Sequence, residues 1–532
     1  MTAHVAPLIT DRPQLLAALA RPKRYDVAVI GGGASGLGVA LDAALRGLSV
    51  VLLESHDFAK GTSSRATKLV HGGVRYLAQG NIALVREALH ERTTLLHNAP
   101  HLARPLPFVM PCYRYWEIPF YGSGLKIYDM LAGKAGLGNT QFLGVRDTEK
   151  CLPGVRTDGL KGGVKYWDGQ FDDARLALTL ARTAAAQGAL LLNYCAVTDL
   201  VHEQGRICGV RGVDTETGVA FSVSARCVIN AAGVWVDEFR QKDGQAISRD
   251  VQPMVAPSQG VHLVVDRDFL PGDHALLVPK TRDGRVLFAV PWLGKVILGT
   301  TDTPRHDLSR EPDAFASEVE FILGEAGNYL SRRPTREDVR SIWVGLRPLV
   351  RPPDDEQGGN TKKISREHTV LVSPSGMVTV TGGKWTTYRA MAEDVLDKCV
   401  QAGLFAQLPP SSTVDHLLVG AGPGVTYRAT LTRTPGLESY GAEAGLLQTL
   451  EGHDIVLADG LTEAMVRFAA RYEYARTVED MLARRYRLLF LDARLAARIA
   501  PRVAQILTQE TGAPARLDEF LDLARHYLAL PA

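Results

Sequence analysis

An α/β core with an inserted antiparallel sheet and a helical C-terminal domain is the fold class this sequence predicts, on three observations. Residues 25–54, YDVAVIGGGASGLGVALDAALRGLSVVLLE, read as strand, glycine turn, helix and strand. Between Val261 and Asp302 the short runs VHLVVD, ALLVP, VLFAVP and KVILGTTD follow one another. Turn candidates at Asp283-Gly284 and Leu293-Gly294 separate some of them, which suggests strands paired antiparallel. From about Thr413 onward the apolar residues follow helical spacing. At 532 residues the chain is too long for one ordinary core, so two or three domains are expected.

Residues 1–24 read as a short arm or helix. Their apolar piece, Leu15 to Leu19, is too short for a secretory signal, and most of the cations follow it. In the unit after it, Val27 to Ile30 are apolar without a break, as in a strand buried on both faces. Gly31, Gly33 and Gly36 then form G-x-G-x-x-G. The first glycine allows a tight turn, the second a close approach of backbone to a pyrophosphate, the third close helix–strand packing. The helix start offers N–H groups and a positive dipole end to phosphate. Glu54 closes the second strand where a carboxylate accepts from ribose hydroxyls; its acidity argues against NADP and leaves NAD and FAD open. This is a Rossmann-like dinucleotide site.

Residues 55–77 are rich in Gly, Ser, Thr and cations and read as a loop around something polar. Residues 81–97 form an amphipathic helix with Asn81 as N-cap. From 105 to 138, Tyr113, Tyr115, Trp116, Phe120, Tyr121 and Tyr128 crowd among Arg114, Lys126 and Lys134. That texture suits a domain core beside a loop or an aromatic-anchored patch on a membrane interface. Residues 172–188 are helical and GALLLNYCAV (188–197) is strand-like. Residues 210–228 are two strands with a turn near Thr217-Gly218, and 229–233 form another strand–glycine junction. A strand, glycine turn and helix recur from Met377, and Thr477-x-x-Asp480 reads as a capping box. The dinucleotide-binding domain is assigned to 25–100, 160–250 and 340–405, the inserted domain to 101–159 and 251–339, and the helical domain to 406–532.

A formal net charge of +2 gives no overall reason to expect nucleic acid. Six scattered cysteines with no C-x-x-C pair argue against a metal site, a redox dithiol or a disulfide framework, and for a reducing cytoplasm. No charge-free run of about 20 apolar residues occurs, so a spanning helix is not expected.

Several stretches together resemble the FAD-dependent glycerol-3-phosphate dehydrogenases in their bacterial, quinone-linked form. They are residues 30–54, TSSRATKLVHGGVRYL (62–77), DDARL (172–176), VINAAGVWVD (228–237) and VILGTTD (296–302). GLRPL (345–349), ISREHTVL (364–371), GGKWTTYR (382–389) and EYARTVEDMLARRYRL (473–488) follow in family order. The resemblance implies an FAD-binding domain, a substrate domain and a helical cap. Mitochondrial members carry EF-hands, and no D-x-[DN]-x-[DN]-G pattern occurs here. It further implies glycerol 3-phosphate as substrate, dihydroxyacetone phosphate as product and quinone as acceptor. The aromatic-basic stretch 113–134 and the need to reach a lipid-soluble acceptor lead to the expectation of peripheral attachment to the cytoplasmic face of the inner membrane. A homodimer is left open.

A phosphate ester calls for planar, bidentate arginines. By the resemblance Arg347 and Arg366 belong to the substrate site, lined by Arg75 and Tyr76, with Thr301 nearby. The C2 hydroxyl needs a base titrating near neutrality, and His262 matches the family's active-site histidine. Lys384 opens a helix after Gly382-Gly383, and its partner is either the flavin or the substrate phosphate. His262, Arg347 and Lys384 are thus the catalytic candidates. Ser63, Ser64, Lys68, His71, Gly72 and Gly73 belong to the loop implied to wrap the flavin, with Val197, Ala231, Gly233, Gly383 and Thr386 as further cofactor contacts. Arg65 stands where the family usually has smaller residues, at the expected flavin rim. The rivals are an oxidase that passes electrons to oxygen, an amino-acid-oxidase-like flavoenzyme, and a flavoprotein scaffold without turnover.

Overall fold

The computed structural model describes residues 8–73, 81–282, 284–351, 368–423, 425, 427 and 430–532. Two sheets and a helical domain organise them. In the first sheet Arg24–Ile30 pairs in parallel with Val50–Leu53 on one side and with Ala220–Asn230 on the other. Leu190–Leu192 and Val378–Gly382 extend it in parallel, and His368–Val372 closes one edge antiparallel. Strand alternation explains its burial. Val27, Val29, Val50 and Leu52 share one apolar core with the helices Ala34–Leu45, Asp173–Ala186 and Tyr388–Gln401. Ala28, Ile30, Val51 and Leu53 enter another with Leu19, Cys195, Ile207, Val223 and Phe239. With both faces covered, these strands read as unbroken apolar runs.

The second sheet has ten strands, nearly all antiparallel, centred on Val255–Asp266, Lys295–Gly299, Leu287–Trp292, Ala275–Val278 and Ala103–Cys112. Leu293 and Gly294 both take positive φ, 45° and 88°, and make the tight turn their sequence suggested. Gly162–Phe171 and Ser341–Val350, assigned by sequence to the dinucleotide-binding domain, pair in this sheet instead. Both are half-apolar ten-residue strands, and composition alone does not say which sheet receives them.

The helical domain begins later than 413. The described residues between 413 and 443 hold only short 3₁₀ turns before the helices Glu463–Tyr472, Ala493–Thr511 and Leu517–Leu528. Thr477 and Asp480 cap each other: the Asp480 N–H donates to Thr477 Oγ1 (3.1 Å) and the Thr477 N–H to Asp480 Oδ2 (3.0 Å). Just beyond them Arg484 and Arg485 both donate to buried Asp57, and the Arg487 guanidinium reaches Asp173 at 3.2 Å. Burial alone would raise the Asp57 carboxyl; Arg485 and Arg484 outweigh it and hold it below the ordinary carboxylate range. The cap is therefore bonded to the loop behind the first glycine turn.

The aromatic stretch forms Ala103–Cys112, a strand, and Glu117–Ala132, a helix. Leu125 and Tyr128 face inward, while Trp116, Phe120 and Met130 are exposed. Among the described residues no helix is long and apolar enough to cross a membrane.

Candidate active site

The glycine turn is built for close approach. A Cβ at Gly36 would lie 2.0 Å from the Gly31 carbonyl oxygen, and Gly31 itself has φ +106° with the Ala231 carbonyl 2.6 Å from where its Cβ would be. The helix Ala34–Leu45 starts at Gly33, which has no side chain to cap it; the Ala34 N–H donates instead to Ser63 Oγ (2.9 Å). Glu54 accepts from the N–H groups of Gly32 (2.6 Å) and His56 (2.9 Å), so its carboxylate is fixed at the end of the second strand. From this turn a cleft of about 900 Å³ runs past Ala231 and Gly233 to Gly382, Gly383 and Thr386. Main chain with room for a pyrophosphate, an acid at the ribose position and a cleft of this volume fit FAD.

The other wall of the cleft is the second sheet. Register places Ser258 opposite Arg347, Gly260 opposite Gly345, and His262 opposite Trp343. Residues two apart share a face, so His262, Gly260 and Arg347 all line the cleft. The Arg347 guanidinium lies over Gly260, where a Cβ would be 2.4 Å from Nη2. It donates to the Thr301 carbonyl (3.0 Å) and meets Asp302 Oδ1 at 3.3 Å. His262 is buried, its imidazole stacked on the Trp343 indole at 4.0 Å, and Nε2 pairs with Thr67 Oγ1 at 3.0 Å. Nδ1 is buried without a hydrogen-bond partner among the described residues. Burial, then the cations Lys68 and Arg347, hold the ring well below its ordinary pKa, so it is neutral. A guanidinium able to hold an anion thus stands beside a neutral imidazole able to accept a proton.

Residues 26–389 match the FAD dependent oxidoreductase family, and residues 436–516 the C-terminal domain of alpha-glycerophosphate oxidase. The mitochondrial glycerol-3-phosphate dehydrogenase of Rattus norvegicus is 40% identical over 97% of this chain and 75% of its own length. The chain belongs to the FAD-dependent glycerol-3-phosphate dehydrogenase family. The mitochondrial enzyme of Arabidopsis thaliana is also 40% identical, over 96% of this chain and 86% of its own. The glycerol-3-phosphate dehydrogenase of Bacillus halodurans, solved with FAD, shares the fold at a TM-score of 0.76 and 28% identity, covering 97% of this chain and 98% of that one. FAD is the cofactor of this glycerol-3-phosphate dehydrogenase family member.

Not every residue expected at the site lines the cleft. Arg75, Tyr76 and Arg366 lie outside the described residues. Ser63, His71, Ala231, Gly233, Gly383, Lys384 and Thr386 line it, with His262, Thr301 and Arg347. Ser64 and Lys68 lie behind its wall: Lys68 Nζ donates to Asp173 Oδ2 and to the Ser64 carbonyl, each at 2.7 Å. Gly72 is backed by Tyr128 and Leu89, and its N–H donates to Asp168 (3.2 Å); Gly73 takes φ +79° beside it. Val197 lies in the strand Cys195–Glu203, two residues past Cys195, whose N–H donates to the Glu54 carbonyl (2.8 Å). The Thr301 hydroxyl is engaged with Glu318 (2.8 Å) and the Val261 N–H (3.0 Å), so Thr301 meets Arg347 through its carbonyl. Arg65 donates to Glu311 (2.6 Å) and to the Val344 carbonyl (3.1 Å). Thr67 and Trp343 were missed. Trp343 was open to discovery by alternation, four residues before Arg347 on the same strand face.

Proposed function

We propose that this chain oxidises sn-glycerol 3-phosphate at C2 to dihydroxyacetone phosphate and passes the electrons to membrane quinone. One observation carries the reading: Arg347 and His262 project from paired strands into one cleft, facing the Gly382-Gly383 turn. Bound FAD supplies the acceptor for the C2 hydrogen and its electron pair. It would be held by the turn at Gly31 to Gly36, by Glu54 and by the Ala231 and Gly383 walls. Arg347 grips the phosphate, its planar fork set by the Thr301 carbonyl and Asp302. Lys384, at the N-cap of the turn Trp385–Thr387, adds a cation on the opposite wall. His262, which lines the cleft with Thr67 Oγ1 at its Nε2, is the base that takes the C2 hydroxyl proton. Burial keeps the imidazole neutral and keeps water from competing for it.

The test is anaerobic addition of glycerol 3-phosphate to the yellow holoprotein. Prompt loss of oxidised-flavin absorbance supports the reading, and an unchanged spectrum overturns it. Peroxide release undiminished by a quinone analogue would transfer the chain to the oxidase reading, which the match of its C-terminal domain also allows.

Quinone access is supported by the helix Glu117–Ala132. Phe120, Tyr121 and Ile127 line the cleft, while Tyr115, Trp116, Phe120 and Met130 present apolar surface outward, more than half exposed. Lys161 and Lys126 lie over the Tyr115 and Phe142 rings at 5.4 and 4.9 Å. Rings that anchor and cations that meet anionic headgroups are what an interfacial patch needs. Flotation with anionic vesicles at low salt, lost in Trp116→Ser/Phe120→Ser, is the expected result; no flotation of the parent chain removes the membrane from the proposal.

A further inference from the structure

We propose that Lys68 is a positioning residue for the active-site base: its buried ammonium, over the indole on which His262 stacks, keeps that imidazole uncharged. The inference rests on the reading of His262 as the base and concerns a residue the substrate does not touch.

Lys68 is fully buried and its ammonium sits among three aromatic rings, 4.6 Å from the Trp343 centroid and 5.3 Å from those of Trp292 and Phe490. It donates to Asp173 and to the Ser64 carbonyl. Trp343 is shared, because the imidazole stacks on the same indole with an interplanar angle of 18°. The residue before Lys68 touches the base directly, through the Thr67 hydroxyl. One dipeptide therefore reaches His262 by two routes, a hydrogen bond and a charge behind a ring.

A buried ammonium is costly, and a purely packed methionine would fill the same cage without that penalty. What the charge adds is a field. His262 is faced by two cations, Lys68 from the loop and Arg347 from the neighbouring strand. Lys68 is itself faced by Asp173 and Asp172 from one helix and by Arg487 from the cap. Burial brings the ammonium down to about 7 against the pull of Asp173, so it is charged through the acid range where His262 would otherwise protonate. Repelled by that charge, the ring stays a proton acceptor when the substrate arrives and does not retain the proton it takes. The cap completes the device, since Phe490 and Arg487 both belong to it.

The experiment uses FAD-loaded full-length protein carrying Lys68→Met, and the pair Lys68→Met/Asp173→Asn, which leaves no unpaired buried carboxylate. Two quantities are followed: the pH dependence of single-turnover flavin reduction, and the ¹⁵N titration of the His262 ring, assigned with His262→Asn. Loss of the cation lets the imidazole protonate more readily. The acid limb and the ring titration should both move up by about one pH unit. KM at the optimum should stay within about threefold. A fall in rate with both midpoints unmoved would make Lys68 a packing residue and overturn the proposal, as would loss of FAD from both variants. If only the single variant loses FAD, the paired one decides. His262→Asn reducing flavin at the parent rate would instead sink the base assignment itself, whatever Lys68→Met shows.

Discussion

Gly260→Ala isolates the phosphate grip without removing a charge. An added Cβ would lie 2.4 Å from Arg347 Nη2, 2.9 Å from its Cζ and 2.7 Å from Thr300 Oγ1. Ordinary carbon contacts begin near ~3.5 Å, so the guanidinium must retreat by about 1 Å. It is the far end of a flexible side chain, so the strand absorbs the methyl at roughly 1 kcal/mol or less. The anion does not escape so lightly. A charge-assisted pair of hydrogen bonds is worth about 1.5–3 kcal/mol, and misplacing it by an ångström forfeits most of that. The expected outcome is a KM for glycerol 3-phosphate raised ~10- to 100-fold, with FAD content and melting temperature near those of the parent. Steady-state kinetics beside flavin absorbance and a thermal scan read all three. A KM within threefold of the parent would show that Arg347 does not hold the phosphate.

Gly36→Ala offers no such relief, because its Cβ would meet the Gly31 carbonyl at 2.0 Å and main chain must move; the purified variant should be colourless. FAD bound at parent stoichiometry would contradict the tight-turn account. Asp57→Asn leaves Arg484 and Arg485 facing a neutral partner in a site closed to water, at a cost of roughly 3–5 kcal/mol. Faster limited proteolysis between 413 and 443 is the readout, and an unchanged digestion pattern refutes it. His101 is buried, and burial followed by Arg175, Arg182 and Arg104 lowers it to about 3. Its folded pKa lies below the unfolded value, so the unfolded chain binds the extra proton. The stability it withholds is lost as pH falls from about 6.5 towards 3, roughly 2 kcal/mol by pH 5. His101→Gln should flatten the fall in urea midpoint between pH 7 and 5; parallel slopes would exclude it.

Local pattern carried the first βαβ unit, though its opening strand starts at Arg24, three residues before the apolar run, because glycine spacing and unbroken apolar runs are set by neighbours in the chain. Asn81 caps its helix through Leu84 N–H, as read from the sequence. The sheet that receives Gly162–Phe171 was not legible, since partner choice depends on residues far away in the chain. For the site, His262 and Arg347 were reachable by their place in motifs. Lys68 was not. Its cation and loop setting suggested the flavin, whereas Asp173, more than a hundred residues on, turns it to the cap side. Arg65 does line the cleft, but its guanidinium is taken up by Glu311 and the Val344 carbonyl, neither of them a neighbour in sequence.

Thr10 donates to the Arg471 carbonyl through both its N–H (2.8 Å) and its hydroxyl (3.1 Å), and it accepts from the Tyr474 N–H (3.3 Å). The leading segment is thereby stapled to a partner synthesised 461 positions later. During translation the first strand–turn–helix unit emerges early, while this staple waits for the ribosome to reach residues 471–474. Closing so long a loop adds little entropy beyond a shorter one, because the penalty grows only with the logarithm of length. The delay is therefore one of time and not of free energy.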